Sequence, residues 1–233
     1  MTITNESSTR RTFVLATGGA LLLAACRDKD KKDEDDEDVG AVEDLMREHG
    51  AIRRVLVVYR ESAARLRTDP PSVPADALQK AAKLFRSFAE DYHERQLEDA
   101  HIFPAVQKAG GAGAAEIATL LAQHQRGREL TDWLLALTAR PIGAASAEPL
   151  ARGLEGFARM YEEHAAREDT IVFPAWKKAL SKKAIKELGE KFEDIEKKTF
   201  GKDGFDDAVV QVTAIERAIG LDPAAFLPPV PRS

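Results

Sequence analysis

Tyr92-His93-Glu94-Arg95-Gln96-Leu97-Glu98, closing on Phe103-Pro104, is answered further along by Tyr161-Glu162-Glu163-His164, then Glu168, then Phe173-Pro174. A lone histidine precedes each segment, His49 the first and His124 the second. The separations nearly repeat: 93−49 is 44 and 164−124 is 40, while 104−93 is 11 and 174−164 is 10. The chain has five histidines, so this duplicated pattern takes all but His101. Two copies of a helix pair, each with one lone histidine and one histidine–glutamate pair, can aim imidazoles and carboxylates at one interior point. A single histidine on an apolar helix face is ordinarily a hydrogen-bonded core residue. Four at repeated positions, with two glutamates, would leave charge unpaired at severe cost unless a cation joins them. The pattern therefore spells a metal site, with two ions as the expected occupancy.

Working outward, the body reads as helical almost throughout. Over residues 41–67, Val42, Leu45, Ile52 and Leu56 recur at the spacing of a buried stripe, and His49 takes a slot in it. Asp69 to Pro74 breaks the chain. A second helix is expected over 75–109, with Phe85, Ala89 and His93 in one row, ended by Gly110-Gly111-Ala112-Gly113. A third over 114–140 aligns Ile117, Leu120, His124 and Thr131; a fourth over 147–180 aligns Phe157, Met160, His164, Glu168 and Ile171. Four long antiparallel helices with short loops make an all-α, up-down bundle. Two further helices, 182–198 and 205–219, and a Pro-rich end are expected to cover its outside, without a catalytic constellation.

His164 and Glu168, four apart, share a helix face. His93 and Glu98, five apart, stand about 140° apart on an ideal α-helix, a poor fit. A π-bulge between Glu94 and Leu97 repairs it, and such bulges favour functional sites; otherwise Glu98 points elsewhere. Phe103, Phe173, Trp133 and Trp176 read as core and bundle-end packing or as walls of a dry pocket. Tyr92 and Tyr161 stand close enough to their histidines to donate a hydrogen bond to a metal-bound ligand, but the favoured expectation for both is a packed tyrosine satisfied by the protein.

The front of the chain reads as an address. Ser8-Thr9-Arg10-Arg11-Thr12-Phe13-Val14 has the form of a twin-arginine export signal. The apolar run from Phe13 to Ala25 is too short to span a bilayer. Leu23-Ala24-Ala25-Cys26 resembles a lipobox, which implies lipid on Cys26 and anchorage in the bacterial cell envelope on the periplasmic side; an ordinary signal with an incidental cysteine is the alternative. Cys26 is the only cysteine, which excludes internal disulfides and thiolate metal clusters. Arg27 to Asp38 carry four positive and eight negative side chains and read as a solvated tether. The expected layout is signal 1–25, tether 26–40, bundle 41–180 and helical extension 181–233. Net charge is −5, and no basic, aromatic-interleaved stretch points to nucleic acid.

Leu45-x3-His49-x2-Ile52-Arg53, Tyr92-His93 to Phe103-Pro104, Leu120-x3-His124-x2-Gly127-Arg128 and His164-x3-Glu168 to Phe173-Pro174 resemble the hemerythrin family, specifically the bacterial hemerythrin-like HHE cation-binding domains. Phe200-Gly201-Lys202-Asp203-Gly204-Phe205 and Ile215-Glu216-Arg217-Ala218-Ile219-Gly220 share the likeness, which spans about residues 41 to 228. The resemblance implies a bundle around a non-haem diiron centre, with His49, His93, His124 and His164 as terminal ligands and Glu98 and Glu168 bridging. A histidine–carboxylate spacing of five also occurs in the family. Oxygen-carrying hemerythrins have a fifth ligand histidine, four after another on the third helix; here that place holds Arg128, and Arg53 sits likewise after His49. His101, three after Glu98, is expected behind the ligands or at the rim. Iron follows from the resemblance, since imidazole and carboxylate also suit zinc or manganese.

Three functions remain open on sequence: binding of O2 or a similar diatomic molecule at the diiron centre, an oxidoreductase acting on peroxide, nitric oxide or O2, and a metal-stapled or iron-handling protein. The missing histidine favours the second, because an open metal position is what chemistry needs.

Overall fold

The computed structural model describes residues 40–228, 230 and 231. The expected export signal, Cys26 and nearly all of the tether lie outside the described residues. Six helices make up the body. α1 spans Ala41–Thr68. α2 is continuous but changes winding: α-helical over Ala75–Leu84, π-helical over Phe85–Ile102, α-helical again over Phe103–Ala109. α3 spans Gly111–Thr138. α4 repeats the change, α-helical over Ala144–Arg167, π over Glu168–Val172 and α over Phe173–Ala179. α5 (Lys182–Phe200) and α6 (Gly204–Ala218) follow. Among the described residues no helix is long and apolar enough to cross a membrane.

The first four helices form the expected bundle, α1 against α4 and α2 against α3. The expected stripes face inward: Val42, Leu45, His49, Ile52 and Leu56 of α1 are buried, as are Ile117, Leu120, His124 and Thr131 of α3. Tyr59, Phe85, Phe157 and Tyr161 pack ring on ring between α1, α2 and α4, with centroids 4.7 to 6.4 Å apart. Each such side chain, fully buried, contributes about 1.5–3 kcal/mol. α5 and α6 cover the outside, as expected. Phe192 of α5 stacks on the buried Trp176 at 5.9 Å. Arg54 of α1 holds Glu216 and Thr213 of α6.

Two details differ from the sequence expectation. The link between α2 and α3 is shorter than the glycine run implied: the chain reverses at Gly110 and Gly111, both with left-handed φ (76° and 77°), and the helix already includes Gly113. Moreover, π winding is no single bulge. It extends through most of α2 and recurs in α4, where none was expected. Pro104 and Pro174 supply a reason, because each lacks the N–H that an α ladder needs at that place. Just before each, the ladder is one residue wider: Phe103 N–H donates to the Glu98 carbonyl and Phe173 N–H to the Glu168 carbonyl.

α3 and α4 approach closely at Gly127, where a Cβ would lie 1.8 Å from the Tyr161 hydroxyl. Gly156, also helical, has nothing within 4 Å of that position. Gly127→Ala is therefore expected to destabilise the fold by about 1–3 kcal/mol through overpacking. Gly156→Ala is expected to stabilise it by about 0.5–1 kcal/mol through lost chain entropy. Urea unfolding midpoints that move the same way in both variants would contradict this account.

Candidate metal centre

The six predicted donors meet in one buried chamber between the four bundle helices. His49 comes from α1, His93 and Glu98 from the π-helical part of α2, His124 from α3, and His164 and Glu168 from α4. All six are at most 3% exposed. The i→i+5 winding of α2 brings Glu98 beneath His93 despite their spacing, with Nε2 and Oε1 3.3 Å apart.

The arrangement is two-fold. His49 and His93 face each other with Nε2 atoms 3.0 Å apart, and His124 and His164 do so at 3.1 Å. Glu98 lies between the pairs, Oε1 toward His93 and Oε2 at 3.4 Å from His124. Glu168 lies between them on the other side, Oε1 at 3.1 Å from His164 and Oε2 at 3.5 Å from His49. Each imidazole pair thus meets one oxygen of each carboxylate.

The outward ring nitrogens fix the proton positions. His49 Nδ1 donates to Asp169 Oδ1 (2.7 Å), His124 Nδ1 to Asp99 Oδ1 (2.9 Å), His93 Nδ1 to Glu48 Oε2 (2.5 Å) and His164 Nδ1 to Gln123 Oε1 (3.0 Å). Carboxylate and amide oxygens accept only, so Nδ1 carries the hydrogen and Nε2 turns its lone pair inward. Among the described residues, no hydrogen-bond donor serves any of the four oxygens of Glu98 and Glu168. A buried chamber lined by lone pairs fits a cation. The groups Glu98, His124, His164, Glu168 and His49, His93, Glu98 each have one donor atom per residue within 4.8 Å of all the others, close enough to hold an ion.

Sequence reading missed the four acceptors behind the histidines, although the signal was present. Asp99 and Asp169 directly follow Glu98 and Glu168, and Glu48 and Gln123 directly precede His49 and His124. Phe103 and Phe173, read as packing or as pocket walls, lie against the chamber: Phe173 stacks on His49 at 5.4 Å and Phe103 on His124 at 5.3 Å. Arg53 and Arg128, standing where a fifth histidine would be sought, brace the aspartates: Arg53 donates to Asp169, and Arg128 donates to Glu94 at 2.8 Å and to Asp99 at 3.5 Å. Tyr92 donates to Glu48, and Tyr161 to Glu94, each at 2.8 Å. His101 stands apart from these bonds, half-buried with its ring 5.8 Å from Phe192.

Protons fill the chamber when a metal does not. Burial pushes His124 down, but Glu94, Asp99 and Glu98 outweigh it and hold the ring up at about 10. His93 is likewise opposed by burial yet held well above its usual range by Glu98 and Glu48. Burial raises Glu98, but His93 and His124 keep it well below the ordinary carboxylate range. The sign for stability follows from the raised histidines: the contribution of His124 is complete below the ordinary 6.5 and disappears as pH climbs through about 10, and that of His93 is lost in the same direction. The Tm of metal-free protein is expected to fall between about pH 7 and pH 10, and that of zinc-loaded protein to fall less, since the ion replaces those protons. Equal slopes with and without zinc in calorimetric scans would contradict it.

The hemerythrin HHE cation-binding domain matches residues 40–176, more than half of the chain. The uncharacterized protein Rv1995 of Mycobacterium tuberculosis (strain H37Rv) is 40% identical over 226 residues, covering 91% of this chain and 87% of its own. The uncharacterized protein Mb2018 of Mycobacterium bovis is similar to the same extent, 40% over 226 residues, with the same 91% and 87% coverage. No solved structure matches the chain. A match of that span, on a helical bundle whose histidines and glutamates gather in one chamber, makes the chain a metal-binding member of the hemerythrin HHE family.

Proposed function

We propose that the chamber holds two iron ions, one facing His49 and His93 and the other facing His124 and His164, with Glu98 and Glu168 shared between them. O2 or a similar diatomic molecule is then the partner. The observation that carries this reading is the pair of carboxylates whose two oxygens each face a different imidazole pair. Iron would supply the electrons and Lewis acidity that hold or reduce such a molecule, work for which a zinc ion is unsuited.

A cavity of about 10 Å³ adjoins the chamber, on the scale of the roughly 10–15 Å³ needed for one water. Its apolar walls are Ile52, Ala89 and Ala165, and the rings of His49, His93 and His164 form its floor. Only a molecule of two or three atoms suits that space. Glu94 and Tyr161 are its other polar members, joined by the Tyr161 hydroxyl bond.

A second reading, oxidoreductase action on peroxide, nitric oxide or O2, is favoured by one observation. Both arginines in the place of a fifth histidine are engaged with carboxylates, so each metal position has two imidazoles and two carboxylate oxygens, which leaves coordination open. We further place the protein at the periplasmic side of the bacterial envelope, exported by its twin-arginine signal and anchored through lipid on Cys26.

Full-length protein loaded anaerobically with ferrous iron is expected to hold two irons per chain and to colour on exposure to air. Colour that fades when oxygen is withdrawn supports binding; irreversible change with peroxide consumption supports the oxidoreductase. A chain that takes up zinc alone and stays colourless overturns the iron reading. Glu168→Ala, which takes a carboxylate from both positions, is expected to abolish iron loading, and His164→Ala to lower it to one ion per chain or fewer; unchanged iron content in either would refute the ligand assignment. Cys26→Ser is expected to move the protein from the membrane to the soluble fraction; unaltered fractionation would refute the anchor.

A further inference from the structure

The groups behind the four histidines correspond between the two halves of the chamber, with one exception. His49 and His124 are backed alike, by Asp169 and Asp99, each braced by an arginine. Behind His93, however, stands the carboxylate of Glu48, 1% exposed, at 2.5 Å. Behind His164 stands the neutral amide oxygen of Gln123 at 3.0 Å, on a half-buried residue at the bundle surface. Glu48 and Gln123 occupy equivalent places, each just before the lone histidine of its repeat.

Net charge does not create this difference. Glu48, Asp169 and Arg53 surround one half; Asp99, Glu94 and Arg128 surround the other, with the same sum. What differs is the use of the second carboxylate. Glu48 accepts directly from an imidazole. Glu94 is taken up by Tyr161 and Arg128, and its nearest oxygen lies 4.0 Å from His124 Nδ1. An ionised acceptor pulls on the Nδ1 hydrogen and makes Nε2 a stronger electron donor; an amide does so far less.

We infer that the two metal positions are unequal by construction: the His49/His93 position fills first and keeps its ion, the His124/His164 position fills second and exchanges, and Glu48 against Gln123 sets the difference. Burial acts in the same direction, because the group behind His164 reaches the surface and the group behind His93 does not. The inference rests on the two-ion reading above but requires neither iron nor oxygen.

Metal-free full-length protein is titrated with zinc against a chromophoric chelator and with cobalt(II) by visible absorption. Two steps are expected, separated by about 10–100-fold in affinity, the usual effect of altering a group behind a ligand histidine. Gln123→Glu tightens the weaker step and narrows the gap by about tenfold or more. Glu48→Gln loosens the tighter one, and far-ultraviolet circular dichroism checks that this buried variant is folded. Gln123→Glu adds its charge at a half-exposed position, so it tests the inference even if Glu48→Gln does not fold. His164→Ala removes the weaker step and His93→Ala the tighter. A single class of sites in the wild type overturns the inference, as does a gap that Gln123→Glu leaves unmoved or a weaker step assigned to His93. Fewer than two ions bound overturns it together with the two-ion reading, whereas two zinc steps in a protein indifferent to oxygen uphold it and sink the oxygen reading alone.

Discussion

A buried chamber that presents only acceptors must be filled by positive charge, and the rest of this structure is arranged around that requirement. Four carboxylate oxygens have no donor, and four ring nitrogens have their protons committed outward. Phe103 and Phe173 stack on two of the imidazoles and add apolar surface at the chamber wall. In so buried an interior electrostatic attraction is poorly screened, so a bound cation gains strongly from these donors and its loss leaves them exposed to one another. The raised histidines and the lowered Glu98 express the same pressure with protons in place of metal.

The backbone meets the requirement through an uncommon winding. An α-helix would turn Glu98 about 140° away from His93. Widening the ladder before Pro104 returns the carboxylate to the chamber, and the same device before Pro174 sets Glu168 and Asp169 so that one faces inward and the other braces His49. The proline that removes a donor and the glutamate that needs turning belong to one local motif. The Phe-Pro pair therefore marks a change of helical register as well as packing.

Much of this was legible in the sequence. Apolar spacing located the helices, and duplication of scarce histidines pointed to one interior cluster. Glu48, Gln123, Asp99 and Asp169 were not read because a polar residue beside a ligand on a helix normally faces another direction; only packing against the opposite repeat turns Asp99 toward His124 and Asp169 toward His49. The full π winding escaped for a related reason. Spacing reveals that one residue is extra between His93 and Glu98, but not how far along α2 the strain is shared. Arg53 and Arg128 were noticed as absences of histidine, when their work is to hold the aspartates.

Duplication also indicates where function resides. Where the repeats agree, at the histidines, the aromatic rings stacked on them and the two inward glutamates, they meet a demand that any ion would impose. Where they differ, the demand is specific. Glu94 corresponds to Ala165, Gly127 to Ile52, and Tyr161 to Glu90. These three differences act together: Gly127 makes room for the Tyr161 hydroxyl, which donates to Glu94, while Ala165 and Ile52 line the cavity beside the imidazoles with apolar surface. A symmetric chamber would offer a small molecule two equal approaches. These substitutions break that symmetry and shape a small cavity, polar on one side and lined by His49, His93 and His164. The asymmetry of the chamber is thus written into side chains that stand outside the six donors.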